Sequence, residues 1–137
     1  EHERGLLSVK PWKALRERID VQKKELHTLL DSLKGAGRTI VGYGAPAKLT
    51  TFAYEMGLGG YLDFVVDDSP LKQGLYSPGL HIPILAPSAL YEDETGWPDA
   101  CLVLAWNFAP QIIEKCKALR EGGCHMITPF PNLTVTP

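Results

Sequence analysis

The sequence predicts an α/β fold built on a parallel β-sheet with helices on both faces. Three observations carry that prediction. Thr39-Ile40-Val41-Gly42-Tyr43-Gly44-Ala45-Pro46-Ala47-Lys48 is an apolar run that breaks into a glycine-rich turn and then a helical stretch. About twenty residues on, a second apolar run ends in an acid, Asp63-Phe64-Val65-Val66-Asp67, so that strand, Gly-x-Gly-x-x-Ala turn, helix and acid-tipped strand follow in the order of a nucleotide-binding β-α-β unit. Beyond them, apolar runs of strand length alternate with helical periodicities, the pattern of parallel strands joined by helical crossovers.

The elements follow in order. Residues 1–10 lack periodicity and read as a linker. Pro11 suits the first turn of a helix, where its missing N–H would be unpaired anyway. Trp12, Leu15, Ile19, Leu26, Leu29, Leu30 and Leu33 recur at helical spacing, so 11–34 reads as an amphipathic helix that Gly35 and Gly37 stop. A strand over 39–43, a helix from about 46 to 56 closed by Gly57-Leu58-Gly59-Gly60, and a strand over 62–66 come next. The loop over 67–81 is rich in Gly and Pro, and Ile82-Pro83-Ile84 is at most a short edge strand because of its proline. Pro87-Ser88-Ala89-Leu90 opens one helical turn. Ala100-Cys101-Leu102-Val103-Leu104 is continuously apolar, as in a strand buried on both faces. A helix over 109–121 places Ile112, Ile113, Cys116 and Leu119 on one side, Gly122-Gly123 closes it, and 125–129 is the last strand. The sum is a Rossmann-like sheet of about five strands with an amphipathic helix in front, and 11–137 reads as one domain.

With 137 residues, 45% apolar and 22% charged, the chain suffices for one globular core. A net charge of −2 gives no electrostatic case for nucleic acid or an acidic membrane surface. The apolar runs are too short for a membrane span, and Glu1-His2-Glu3-Arg4 is too polar to begin a signal peptide. Cys101, Cys116 and Cys124 form no Cys-x-x-Cys pair and are odd in number. They are expected as reduced, core-packed cytoplasmic thiols, with no metal site.

Ligands of such sheets sit at the carboxyl ends of the strands, near the point where strand order reverses. Three segments are expected to meet there. In the first, Gly42 and Gly44 allow a tight turn, Ala45, Pro46 and Ala47 lead into the helix, and Lys48 adds a cation. That turn either binds an anion such as phosphate or only lets strand and helix pack closely. In the second, Asp67 either holds a ribose or, with Asp68, starts a turn. The loop behind it supplies Lys72, Gln73, Tyr76 and His81, in which no base, nucleophile and orienting acid can be picked out by spacing, so binding is expected before catalysis. In the third, Trp106-Asn107-Phe108 offers an aromatic to stack and an amide to hydrogen-bond, or else caps the core and the following helix.

Taken together, the runs Gly42-Tyr43-Gly44-Ala45-Pro46-Ala47-Lys48, Val66-Asp67-Asp68-Ser69-Pro70-Leu71-Lys72-Gln73-Gly74-Leu75-Tyr76-Ser77-Pro78-Gly79-Leu80-His81-Ile82-Pro83-Ile84 and Ala105-Trp106-Asn107-Phe108 resemble the C-terminal domain of the sugar C-methyltransferase family. The likeness spans roughly residues 10–132, and its Lys-Gln-Gly to His-Ile-Pro-Ile stretch is the specific part. It implies a longer protein with a zinc-binding N-terminal domain, a central S-adenosylmethionine-binding domain and this Rossmann-like domain, methylating a carbon of a keto-deoxysugar carried on a nucleoside diphosphate. It further implies that the acid–base residues, the methyl donor and zinc belong to the other domains, that this domain alone is inactive, and that its part is to hold the sugar nucleotide against the central domain. From their convergence at the strand ends, the turn backbone at 44–47, Lys48, Lys72, Tyr76, His81 and Asn107 are expected to contact the sugar nucleotide. One departure is Leu49, where the family continues Ala-Lys-Gly; a side chain there is expected to narrow the space near the turn. Two other readings compete: an NAD-dependent oxidoreductase domain using Gly42, Gly44, Ala47 and Asp67, and a non-catalytic interaction domain whose first helix packs on a partner.

Overall fold

A computed structural model describes residues 9–92 and 97–137. The chain enters through helix α1 (Val9–Gly35), which includes the last two residues of the expected linker; the rest of that linker lies outside the described residues. Strand β1 (Ile40–Tyr43), helix α2 (Leu49–Glu55), strands β2 (Val65–Val66) and β3 (Ile84–Leu85), a 3₁₀ turn (Pro87–Tyr91) and strand β4 (Ala100–Val103) follow. After a second 3₁₀ turn (Trp106–Phe108) come helices α3 (Ala109–Lys115) and α4 (Lys117–Glu121), strand β5 (His125–Thr128) and strand β6 (Thr134–Thr136).

The six strands lie in the order β3-β2-β1-β4-β5-β6. The first five are parallel and β6 runs antiparallel to β5. The chain moves outward from β1 through β2 to β3, then crosses back to β4 on the other side of β1. The order therefore reverses between β1 and β4, where such sheets hold their ligands. Every residue of β1 and of β4 is buried, because helices cover both faces. On one face Leu26 and Leu30 of α1 pack with Phe52 and Ala53 of α2 against Ile40, Val65 and Leu102. On the other, Ile112, Cys116 and Leu119 pack against Val41, Val103 and Met126.

Several details differ from the sequence expectation: the strand expected over 62–66 is only Val65–Val66, the short strand lies at Ile84–Leu85, and β6 adds a sixth strand. The stretch expected as one helix over 109–121 is interrupted at Cys116, whose backbone (φ −91°, ψ 19°) leaves helical geometry. No Gly or Pro marks that break. Helix α2 begins three residues after Pro46, because Pro46 first forms a tight turn in which its carbonyl accepts the Leu49 N–H at 2.9 Å. Leu49 itself is buried in the core on the α1 side, so its side chain fills that core and does not narrow the turn.

The second half of α1 is fixed to the body by a polar cluster. The His27 Nε2 lies 2.5 Å from the Met56 carbonyl, and the Tyr61 hydroxyl donates to Asp31 and lies 3.2 Å from the His27 Nδ1. All three cysteines are buried free thiols. Burial pushes Cys101 well above the ordinary thiol range, raises Cys116, and takes Cys124 up to about 12. Such groups are protonated at neutral pH and poor nucleophiles. A thiol-reactive aromatic disulfide is therefore expected to titrate no cysteine in the native chain and all of them in denaturant; rapid native labelling would contradict the packing described here.

Candidate functional site

A cleft of about 350 Å³ opens at the carboxyl ends of β1 and β4, where the strand order reverses. Its floor is Gly44 and Ala105, the residues that follow or nearly follow the two strands. One wall comes from Asp67, Asp68 and Lys72 after β2, the other from Phe108, Gln111, Ile112 and Lys115 around α3. The floor needs a glycine: Gly44 has φ +96°, and a Cβ there would stand 2.6 Å from the Ala105 Cβ. The two crossing segments can approach only because that atom is missing.

The acid after β2 braces this floor. One oxygen of Asp67 accepts the Ala45 N–H at 2.7 Å and the other accepts the Ser69 N–H at 2.8 Å. The Lys72 Nζ donates to the Ala45 carbonyl at 2.8 Å and lies 3.8 Å from the Asp67 carboxylate, and the Gln73 amide donates to the Asp67 carbonyl at 2.9 Å. The turn is thus satisfied by side chains from the loop, and an internal carboxylate already occupies the Ala45 N–H.

Across the cleft a second set is linked. The Tyr43 hydroxyl donates to Asp68 at 2.9 Å, and the Lys115 Nζ donates to the other Asp68 oxygen at 2.9 Å. Burial, together with the bond to Asp68, raises the Tyr43 phenol above its ordinary range, so it stays a neutral donor. The Lys115 ammonium, assisted by Tyr43, holds the Asp68 carboxyl below its ordinary range, against a smaller opposing effect of burial. A depressed folded-state value means that this tie is complete above the carboxylate range of the unfolded chain and is lost as pH falls through the lower folded value. Both partners are more than half exposed, so little global stability is involved. The expected result of an NMR pH titration is an Asp68 midpoint below that of free aspartate, with the fold still intact there; a midpoint at or above that of free aspartate would break the argument.

The sequence itself places the chain. A family described as C-methyltransferase C-terminal domain matches residues 1–131. The chain belongs to this family. C-methyltransferase NovU of Streptomyces niveus is 40% identical over 118 residues, which cover 85% of this chain and 26% of NovU. The chain thus spans about a quarter of the length of that relative. The structure of UDP-D-quinovosamine 4-dehydrogenase from Vibrio fischeri has a similar fold, with a TM-score of 0.50 at 16% identity over 73% of this chain and 93% of that one. At such identity the likeness is one of fold: Rossmann-like, as the strand order independently shows.

In this C-methyltransferase C-terminal domain the residues singled out from sequence divide between places. Gly44, Pro46, Asp67 and Lys72 line the cleft, and Gln73 ties its wall. Gly42 lies inside β1 and is buried with Ala45. Ala47 and Lys48 are exposed at the start of α2, and Lys48 sits over the Trp106 ring, 4.1 Å from its centroid. That ring packs with Phe52 and Phe130 on the α1–α2 side of the sheet, away from the cleft. Tyr76 and His81 are exposed on the loop, which returns along β3 rather than over the cleft; His81 (φ 52°) closes the turn in which its N–H bonds to the Ser77 carbonyl. Asn107 is exposed, and the cap position of α3 is Phe108, so Asn107 does not cap that helix.

Phe108, offered from sequence within the aromatic run, and Asp68, read there as starting a turn, also line the cleft, and Tyr43, Gln111 and Lys115 join it without having been among the sequence candidates. A usable signal existed for two of them. Gln111 and Lys115 are four apart, beside Ile112, in the helix after a buried strand, which puts them on one helical face at the strand-end side of the sheet.

Proposed function

We propose that this domain holds a nucleoside-diphosphate keto-deoxysugar, or a related small molecule, for an S-adenosylmethionine-dependent C-methyltransferase of which it forms the C-terminal part. The observation that carries this reading is the cleft at the strand-order reversal, with Lys72 and Lys115 on opposite walls and Phe108 at its edge. Two ammonium groups across a cleft suit a diphosphate, and an exposed aromatic suits a base or sugar face. Each lysine is held near its place by an aspartate, Lys72 by Asp67 and Lys115 by Asp68, so the cations are positioned before a ligand arrives.

Among the described residues no three His, Cys, Asp or Glu side chains gather to hold a metal, and the turn N–H at Ala45 already has a partner. On this reading, which follows the family resemblance, zinc and the methyl donor belong to the other domains. S-adenosylmethionine supplies the methyl group there. There a base outside this domain would take the proton beside the ketone, and the methyl group would pass from the sulfonium of S-adenosylmethionine to that carbon, with S-adenosylhomocysteine as the leaving group. Residues of this chain orient the substrate and keep water from it. Buried free thiols suit a reducing, cytoplasmic setting. No helix among the described residues is long and apolar enough to cross a membrane.

The test is calorimetric titration of the chain with thymidine diphosphate and, separately, with NAD. Binding of the diphosphate alone is expected. Binding of NAD alone would overturn the reading in favour of an oxidoreductase-type dinucleotide site.

A further inference from the structure

The apolar stripe of α1 runs past the body on which the helix packs. Leu26 and Leu30 are buried and Ile19 lines a groove, whereas Trp12 and Leu15, on the same helical face, are 66% and 45% exposed. A helix of 27 residues spans about 40 Å, while β1 and β4, of four residues each, span about 13 Å. The first turns of α1, ahead of the Arg16–Glu55 pair, therefore run past the sheet. The groove beside Ile19, about 260 Å³, is floored by Phe52, Trp106 and Phe130 and continues the stripe toward the carboxyl ends of the strands.

We infer that this stripe and groove form the docking surface for the domain that precedes α1 in a full-length C-methyltransferase. The inference rests on the reading of the chain as one domain of such an enzyme and adds where the neighbouring domain sits. The family is a C-terminal domain, and about three quarters of NovU lies outside the matched stretch. Chain arriving from the N-terminal side meets Trp12 first, so the preceding domain is delivered next to the exposed end of the stripe. Size separates this occupant from a second copy. A stable interface between free proteins buries about 800 Å² on each partner, more than three side chains and a small groove provide. A tethered domain needs far less, since the covalent link holds it at an effective concentration in the millimolar range.

The test uses Leu15→Cys, made both in this chain and in the full-length enzyme, with maleimide labelling under native conditions read at residue 15 by peptide mass spectrometry, so that thiols elsewhere do not enter the rate. Docking predicts labelling about tenfold slower in the full-length enzyme than in the chain alone. Equal rates would overturn the inference. Slow labelling in the isolated chain, relieved by dilution, would make a second copy the occupant and overturn it as well. As a second readout, Trp12→Glu with Leu15→Glu should leave the circular dichroism of the full-length enzyme unchanged and increase its radius of gyration in small-angle scattering; an unchanged radius would count against docking. None of these readouts depends on ligand, so failure of the docking surface and failure of the diphosphate site are distinguishable.

Discussion

Gly44→Ala is expected to lower the stability of this domain by about 3 kcal/mol or more, a large share of the 5–15 kcal/mol typical of a domain. Two costs combine. The backbone at Gly44 lies at φ +96°, where an L-residue is strained by about 1–3 kcal/mol. The new methyl would also stand 2.6 Å from the Ala105 Cβ and 3.0 Å from its backbone N. Ala105 cannot yield easily, since its N–H and that of Leu104 are bonded to the Tyr43 carbonyl. The comparison is Gly60→Ala, at φ +85° with nothing within 4 Å of the added carbon, which carries strain without the clash. Urea unfolding at unchanged m-value should separate the two. Equal losses would mean that the close approach of the two segments contributes nothing, and the account of the cleft floor would fail.

The second large effect is on binding. Lys72→Ala and Lys115→Ala are each expected to weaken thymidine diphosphate binding about ten- to a hundredfold, and the double variant by about the product of the two, taking roughly 1.5–3 kcal/mol for a hydrogen bond to a charged group. Their secondary effects differ. Loss of Lys72 frees the Ala45 carbonyl, whereas loss of Lys115 frees only an Asp68 oxygen. The first variant should therefore also lose some stability and the second should not. Lys48→Ala provides the discriminating comparison, because Lys48 stands over Trp106 on the other side of the sheet. If Lys48→Ala removed the affinity while the other two preserved it, the ligand would lie across the aromatic groove and the proposed cleft would be wrong.

How far the sequence revealed this arrangement depends on where each signal is stored. The β1 turn was legible because its information is local: an apolar run, then Gly42 and Gly44. The helices on both faces were legible because burial imposes a period. The short β6, Thr134-Val135-Thr136, lies at an exposed edge and leaves no such pattern. The break at Cys116 has no breaker residue to announce it. The cleft walls were harder still. Trp106 and Phe108 are two residues apart, yet one packs against Phe52 and the other lines the cleft, because the chain between them winds through a 3₁₀ turn. Tyr43 reads as an inward strand residue, and its ring is indeed buried, but its hydroxyl reaches Asp68 beyond the strand end. The pairing of Lys115 with Asp68 joins segments 47 residues apart and exists only once the sheet has assembled. The loop after β2 looked like a binding loop throughout its length; only its first part, through Gln73, belongs to the cleft.

The remainder of that loop has a different task. Gly74 donates to the Ile84 carbonyl, Ile84 donates to the Leu75 carbonyl, Ser77 donates to the Ile82 carbonyl and the Ile82 N–H donates to the Ser77 Oγ, so the loop runs along the outer margin of β3. A margin left bare would offer a row of unpaired amides to any strand that arrived, including the same strand of another molecule. The loop thus acts as a guard against self-association, and it does so with backbone atoms and the buried Ser77 hydroxyl. Leu75, Tyr76 and His81 can change without opening the margin, while shortening the segment would expose it. Protection of the β3 edge is accordingly set by the length of a loop more than by the character of its exposed side chains.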